Sequence, residues 1–306
     1  MRLVFIATGD IALPAFRHLL ENGPRPLALV TQPDKPVGRH QTLTPPAIKV
    51  EALAAGIPVF QPEKIGDALD GLQALDPELL VVMAYGQILR KNILTLASKA
   101  IINLHASLLP KYRGAACIQA AIDAGDAETG ITAMHVVREL DAGDVILMKS
   151  IPLAPDETGG GLHDRLADLA PAVLAETIAR LADGSAPRMP QDEAASSYIS
   201  KLERDDGKLD WSQDAAALER RIRAYDPWPG TFTTALEDGK PKRLKIFPPA
   251  AVVEQDLTPG TLATAEGRLL VGCGSGALLL ESVQPEGGRR MSAADYLRGR
   301  KPAAFG

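Results

Sequence analysis

Two continuous apolar runs, Leu79–Ala84 and Ala100–Leu104, constrain this chain more than any other feature. Both have strand length, and neither alternates polar with apolar positions, so each strand must be covered on both faces. Similar runs at Leu3–Ala7 and Leu27–Thr31 alternate with helical patterns at Leu13–Leu20 and Ala47–Ala55. Such strand–helix–strand alternation implies an α/β fold with a Rossmann-like, doubly wound, mostly parallel sheet. Gln32–Pro46 reads as a proline-rich loop, Gly114–Ala124 as a helix, and Gly130–Val137 and Val145–Leu153 as strands. His163–Leu181 reads as a long helix that closes at Ala182-Asp183-Gly184.

At 306 residues the chain is longer than most single cores, so a large domain with a smaller one is expected. Residues 187–207 are polar and irregular, which suits a linker between domains over 1–186 and 208–306. Beyond it lie short strand candidates at Phe232–Leu236, Leu244–Phe247, Gly260–Ala265, Leu269–Val271 and Ala277–Val283. Their Gly and Pro punctuation suggests a small antiparallel barrel or sandwich. From Gly207 onward there are 14 Lys and Arg against 12 Asp and Glu, whereas the preceding residues hold 19 against 26. This asymmetry within a net charge of −5 is compatible with an anionic partner but does not require one.

Cys117 and Cys273 form no CxxC pair, so neither a zinc site nor a disulfide scaffold is signalled. The opening MRLVFIATGD lacks the apolar core and cleavage site of a signal peptide, and no uncharged apolar stretch could span a bilayer. A cytoplasmic location is expected.

After the first strand the chain reads Ala7-Thr8-Gly9-Asp10-Ile11-Ala12, which is not GxGxxG and argues against a nicotinamide oxidoreductase. The informative strand ends in Asn103-Leu104-His105, followed by Ala106-Ser107-Leu108-Leu109-Pro110. Period-two geometry puts Asn103 and His105 on one face, at the carboxyl end where open α/β sheets form their ligand crevice. Leu140-Asp141-Ala142-Gly143-Asp144 lies between two expected strands and so forms a second rim loop. Taken singly, His105 could be a satisfied strand-end histidine and Asp141 an ordinary turn residue. No GxSxG elbow surrounds Ser107, and no His/Cys ligand spacing supports a metal. Asn, His and Asp without a covalent nucleophile point to acyl transfer directly onto a substrate amine. His18, His40, His135 and His163 are assigned no functional part.

These segments resemble the signature of the folate-dependent formyltransferases, and most closely that of the enzymes acting on methionyl-tRNA. The similarity rests on Asn103–Gly114 and Leu140–Asp144 in their order and spacing. It extends to Thr31–Arg39, Ala84–Leu89, Lys208–Trp211, Asp226–Gly230 and Arg289–Gly299, and so runs nearly end to end. The chain departs from the family pattern at Ala7-Thr8-Gly9, Glu139 and Cys117.

The resemblance implies 10-formyltetrahydrofolate as formyl donor and initiator methionyl-tRNA as acceptor, with no metal and a monomeric state. It implies Asn103, His105 and Asp141 as the catalytic set. Tyr85, Gly86, Gln87, Ile88 and Leu89, with Ser107, Leu108, Leu109 and Pro110, would flank the folate. Lys35 and Arg39, in the loop after the second strand, would contact tRNA, and the C-terminal domain would be an open barrel of the OB type that also touches it. Alternatives are a formyltransferase acting on a small amine, a folate- or tRNA-binding protein without catalysis, and a hydrolase that releases formate.

Overall fold

A computed structural model describes residues 1–38, 40–265 and 268–306. The chain begins β1 (Leu3–Ala7), α1 (Leu13–Glu21), β2 (Ala28–Val30), β3 (Lys35–Val37), β4 (Thr42–Thr44), α2 (Ala47–Ala54) and β5 (Val59–Phe60). It continues with α3 (Leu69–Ala74), β6 (Leu79–Met83), α4 (Lys91–Leu94), β7 (Ala100–His105), β8 (Arg113–Gly114) and α5 (Cys117–Ala124). Then follow β9 (Glu128–His135), β10 (Val145–Pro152), α6 (Gly159–Asp183), β11 (Tyr198–Ile199) and α7 (Ala215–Ala224). The last part holds β12 (Thr231–Glu237), β13 (Lys240–Val253), β14 (Leu262–Ala265), β15 (Arg268–Gly272), β16 (Ala277–Pro285), β17 (Met291–Ser292), α8 (Ala293–Gly299) and β18 (Pro302–Phe305).

These elements form two compact units. The first comprises Met1–Gly114, Thr129–Ile151 and His163–Ile199, and the second Ala115–Glu128, Pro152–Leu162 and Ser200–Gly306.

The first unit is built on a seven-stranded sheet of order β10-β9-β7-β6-β1-β2-β5. The pairs joining β7, β6, β1, β2 and β5 are parallel, and β9 joins β7 antiparallel. The mostly parallel, doubly wound sheet expected from the apolar runs is therefore the observed one. Val4, Ile6, Leu80 and Val82 pack on one face with Leu72 of α3 and Ile93 of α4. Phe5 meets Phe16 of α1, with ring centroids 5.5 Å apart. Every residue of β1 and β6 is buried, as continuous apolar strands require.

The stretch 32–46 differs from a plain loop. Lys35 pairs with Thr44 and Val37 with Thr42 in a short antiparallel ribbon, which turns at Gly38 with φ +73°. Pro36 is tolerated because the ribbon is only two strands wide and both are edges.

In the second unit the strands run in the order β14-β15-β16-β13-β12-β18, and neighbouring strands pair antiparallel. A bridge between Thr261 and Ala304 brings the two ends of this order together and nearly closes a barrel. The core holds Trp211, Leu244, Ile246, Val271, Leu280 and Phe305, with Leu218 and Ile222 of α7 packed among them. Strand β13 runs well beyond the expected Leu244–Phe247. It passes Pro248 and Pro249 at a register shift between Phe247 and Ala250, where a missing N–H costs no ladder bond.

Candidate active site

Strand β1 lies between β2 and β6, so the chain leaves it toward both sides of the sheet. The carboxyl ends of β1, β6 and β7 therefore border a topological switch point, the usual crevice of an open α/β sheet. The Thr8 and Gly9 N–H groups donate to the Ala84 carbonyl at 3.3 and 3.0 Å, which ties the first of these ends to the second. Gly9 permits this approach, since a Cβ there would lie 3.1 Å from that of Ala84.

On β7, Asn103 is half-buried and His105 is buried. The Asn103 amide donates to Asp141 Oδ1 at 3.4 Å, and His105 Nδ1 lies 3.7 Å from Asp141 Oδ2. The three residues expected to act together are thus brought together. His105 Nε2 sits 2.9 Å from the Tyr112 carbonyl. A carbonyl only accepts, so this nitrogen carries the hydrogen. The Gly114 N–H donates to Asp141 Oδ2 at 2.9 Å.

The backbone around this cluster is unusual. Tyr112 and Asp141 both adopt positive φ, +61° and +50°. For a bulky tyrosine this is a genuine outlier, and it aims the Tyr112 carbonyl at His105. Gly143 explains the Asp-x-Gly-Asp spacing, because a Cβ there would stand 1.8 Å from the His135 carbonyl oxygen. The His135 N–H in turn donates to the Asp144 carbonyl at 2.9 Å. Burial, together with the charge of Arg188, holds the His135 imidazole below its ordinary pKa despite Asp144, so it stays neutral beside the loop.

The segment after β6 begins with Ala84 at φ +47° and Gly86 at φ +81°. Tyr85 is buried, its hydroxyl meets no hydrogen-bond partner among the described residues, and burial pushes that phenol up to about 12. The Tyr85 carbonyl accepts from the Gln32 amide at 2.7 Å. Gln87 binds backbone, accepting from the Ile65 N–H and donating to the Glu63 carbonyl. Leu89 is buried, whereas Ile88 is left 75% exposed.

After β7, Ser107 is buried and donates to the Lys111 carbonyl, and Leu109 is buried as well. Leu108 and Pro110 are half-buried. Lys35 is exposed on β3 and donates to Gln32. Arg39 lies outside the described residues.

Residues 1–178 match the formyl transferase family and residues 201–301 its C-terminal domain. The methionyl-tRNA formyltransferase of Akkermansia muciniphila is 53% identical over 98% of this chain and 96% of its own length. That of Geobacter metallireducens is 42% identical, also over 98% and 96%. The chain belongs to the methionyl-tRNA formyltransferase family.

Solved structures agree on the fold of this formyltransferase. The N-formyltransferase of Helicobacter canadensis, in complex with folinic acid and dTDP-3-aminofucose, superposes with a TM-score of 0.68 at 16% identity. That match covers 95% of this chain and all of the other. HypX of Aquifex aeolicus in complex with tetrahydrofolic acid gives 0.64 at 17% identity, over 97% of this chain and 47% of HypX.

Residues that sequence reasoning passed over also shape the formyltransferase site. Thr132 of β9 donates to the Ser107 carbonyl at 2.7 Å and accepts from the Leu109 N–H at 3.1 Å. Arg113 is wholly buried. Residues 187–199 run alongside the site. Met189 bridges to Val145, and Tyr198 and Ile199 pair with Arg113 and Gly114. Gly114 is required there, because a Cβ would stand 2.2 Å from the Ile199 carbonyl oxygen.

Proposed function

We propose that this formyltransferase moves the formyl group of 10-formyltetrahydrofolate onto the α-amino group of methionyl-tRNA in the cytoplasm, acting as a monomer. The observation that carries the reading is the convergence of Asn103 and His105 on Asp141 at the carboxyl end of β7. The full-length likeness to methionyl-tRNA formyltransferases supplies the acceptor. Among the described residues no helix is long and apolar enough to cross a membrane.

The amine attacks the formyl carbon and creates a tetrahedral centre bearing an oxyanion. Asn103 offers a second amide hydrogen to that oxygen, and protonated His105 offers the hydrogen on Nδ1. Preorganised donors of this kind typically lower a barrier by roughly 2.7–4 kcal/mol each. Because 3.7 Å exceeds hydrogen-bond reach, Asp141 acts on the imidazolium through its charge. It also takes the ammonium proton, directly or through water. Collapse of the centre expels the tetrahydrofolate nitrogen, which takes up the proton that Asp141 received, directly or through water.

The folate would lie between 85–89 and the loop ending at Asp141, with 107–110 as the facing wall. The exposed side chain of Ile88 and the half-buried Leu108 and Pro110 suit a flat, partly apolar ring. Lys35 and Arg39 would meet the tRNA. The catalytic part would be 1–186, with 208–306 as the tRNA-binding part beyond a connection over 187–207.

The deciding experiment follows formyl release from 10-formyltetrahydrofolate with and without charged initiator tRNA. Release only with the tRNA, yielding formylmethionyl-tRNA, is expected. Equal formate release without it would establish a hydrolase, and transfer to a small amine alone would establish a small-substrate enzyme.

A further inference from the structure

We propose that Gln191 is a positioning residue for Asp141, oriented by the buried guanidinium of Arg113; this rests on the part assigned above to Asp141 in formyl transfer. The Gln191 amide bridges the Arg113 guanidinium and the rim loop that carries Asp141. Its Oε1 accepts from Arg113 Nε at 3.1 Å and Nη2 at 2.9 Å. Its Nε2 donates to the carbonyls of Asp141 and Gly143, both at 2.8 Å. A guanidinium only donates and a carbonyl only accepts, so the amide has a single workable orientation.

Arg113 cannot readily turn away. It is fully buried, and its remaining hydrogens go to Glu193 at 3.0 and 2.7 Å and to the Tyr198 hydroxyl at 2.7 Å. A buried guanidinium stripped of these acceptors would be strongly unfavourable.

The two carbonyls that Gln191 grips flank Ala142, so the amide staples the turn that presents the Asp141 carboxylate. That turn holds Asp141 at φ +50°, a conformation costing roughly 1–2 kcal/mol for an L-residue, so it needs an external tie. Gln191 is not among the groups assigned to the reacting atoms. Its effect passes through the placement of Asp141 relative to Asn103 and His105.

The test uses the full-length enzyme and the variant Gln191→Glu. Glutamate keeps acceptors for Arg113, so the segment around Tyr198 should stay folded. It also sets an oxygen, in place of a donor, against two carbonyl oxygens. The expected result is a kcat about 100-fold lower, as for a displacement near 1 Å. The KM values for both substrates should stay within about twofold, while the melting temperature falls by a few degrees, as the loss of the two carbonyl bonds requires.

Introduced into Asp141→Asn, the same change should alter kcat by no more than about twofold. Arg113→Lys keeps a cation beside Glu193 but offers no fork to Gln191, and should give a smaller fall in kcat that is not additive with Gln191→Glu. A near-normal kcat in Gln191→Glu, or its full effect persisting without the Asp141 carboxylate, would overturn the positioning role. A fully active Asp141→Asn enzyme would overturn the assigned role of Asp141 itself, and the clamp's purpose with it.

Discussion

Nε2 of His105 donates to the backbone carbonyl of Tyr112 over 2.9 Å, which fixes the ring and directs Nδ1 toward Asp141. The consequence is a division of tasks within one imidazole. One nitrogen anchors the ring to a carbonyl that is itself held by a left-handed tyrosine. The other is the nitrogen that the proposed mechanism uses as a donor to the oxyanion.

Asp141→Asn should therefore separate catalysis from folding. The amide oxygen can still accept from the Gly114 N–H, so the melting temperature should change by a few degrees at most. The charge beside His105 disappears, and kcat for formylation should fall by roughly 10²–10⁴. Steady-state kinetics alongside a thermal melt decide the matter; near-normal turnover would remove Asp141 from the catalytic set.

Thr132→Val probes the loop after β7. Valine has nearly the shape of threonine, but it leaves the Ser107 carbonyl and Leu109 N–H without their partner in a buried setting. Each loss of this sort costs about 1–3 kcal/mol. Denaturant melts should show a lower midpoint with an unchanged slope. The KM for the formyl donor should rise more than that for the tRNA. A variant with wild-type donor affinity would show that 107–110 does not border the folate.

Much of this was legible in the sequence, and the parts that were not share a physical reason. The strands Leu79–Met83 and Ala100–His105 announce themselves because burial on both faces admits no polar interruption. Asn103 and His105 stand out against that apolar background, and Asp141 stands out by its loop. Gln191 has no such background. It sits in a polar stretch where a glutamine that grips two carbonyls reads the same as one in solvent. The ribbon over Lys35–Thr44 and the full length of β13 were obscured by prolines, which weaken a strand pattern without forbidding a ribbon or a bulged strand. The helix Ala215–Ala224 gives only a weak signal in the sequence, because its buried side is carried by a few residues such as Leu218 and Ile222.

The second unit carries its own buried charge, Glu237 at the end of β12. It is 4% exposed and accepts from the Tyr296 hydroxyl at 2.6 Å, Arg300 at 2.6 Å and Lys242 at 3.2 Å. Burial pushes its carboxyl up, but these hydrogen bonds and the charge of Arg300 outweigh burial and hold it below its ordinary value of 4.5. The unfolded chain thus binds the proton more readily than the folded one. The stabilisation is present in full above that ordinary value and is lost as pH falls through the lowered one.

Both tryptophans of the chain, Trp211 and Trp228, lie in the second unit, so their fluorescence reports on its unfolding. Urea melts read this way should weaken progressively below about pH 4.5. In Glu237→Gln the charge-assisted bonds become ordinary ones, and stability at pH 7 should fall by about 2 kcal/mol. The variant should also lose less than the wild type between pH 5 and 3, because it has no carboxyl here to protonate. Parallel pH profiles for the two proteins would mean that Glu237 contributes nothing to the acid sensitivity of the barrel.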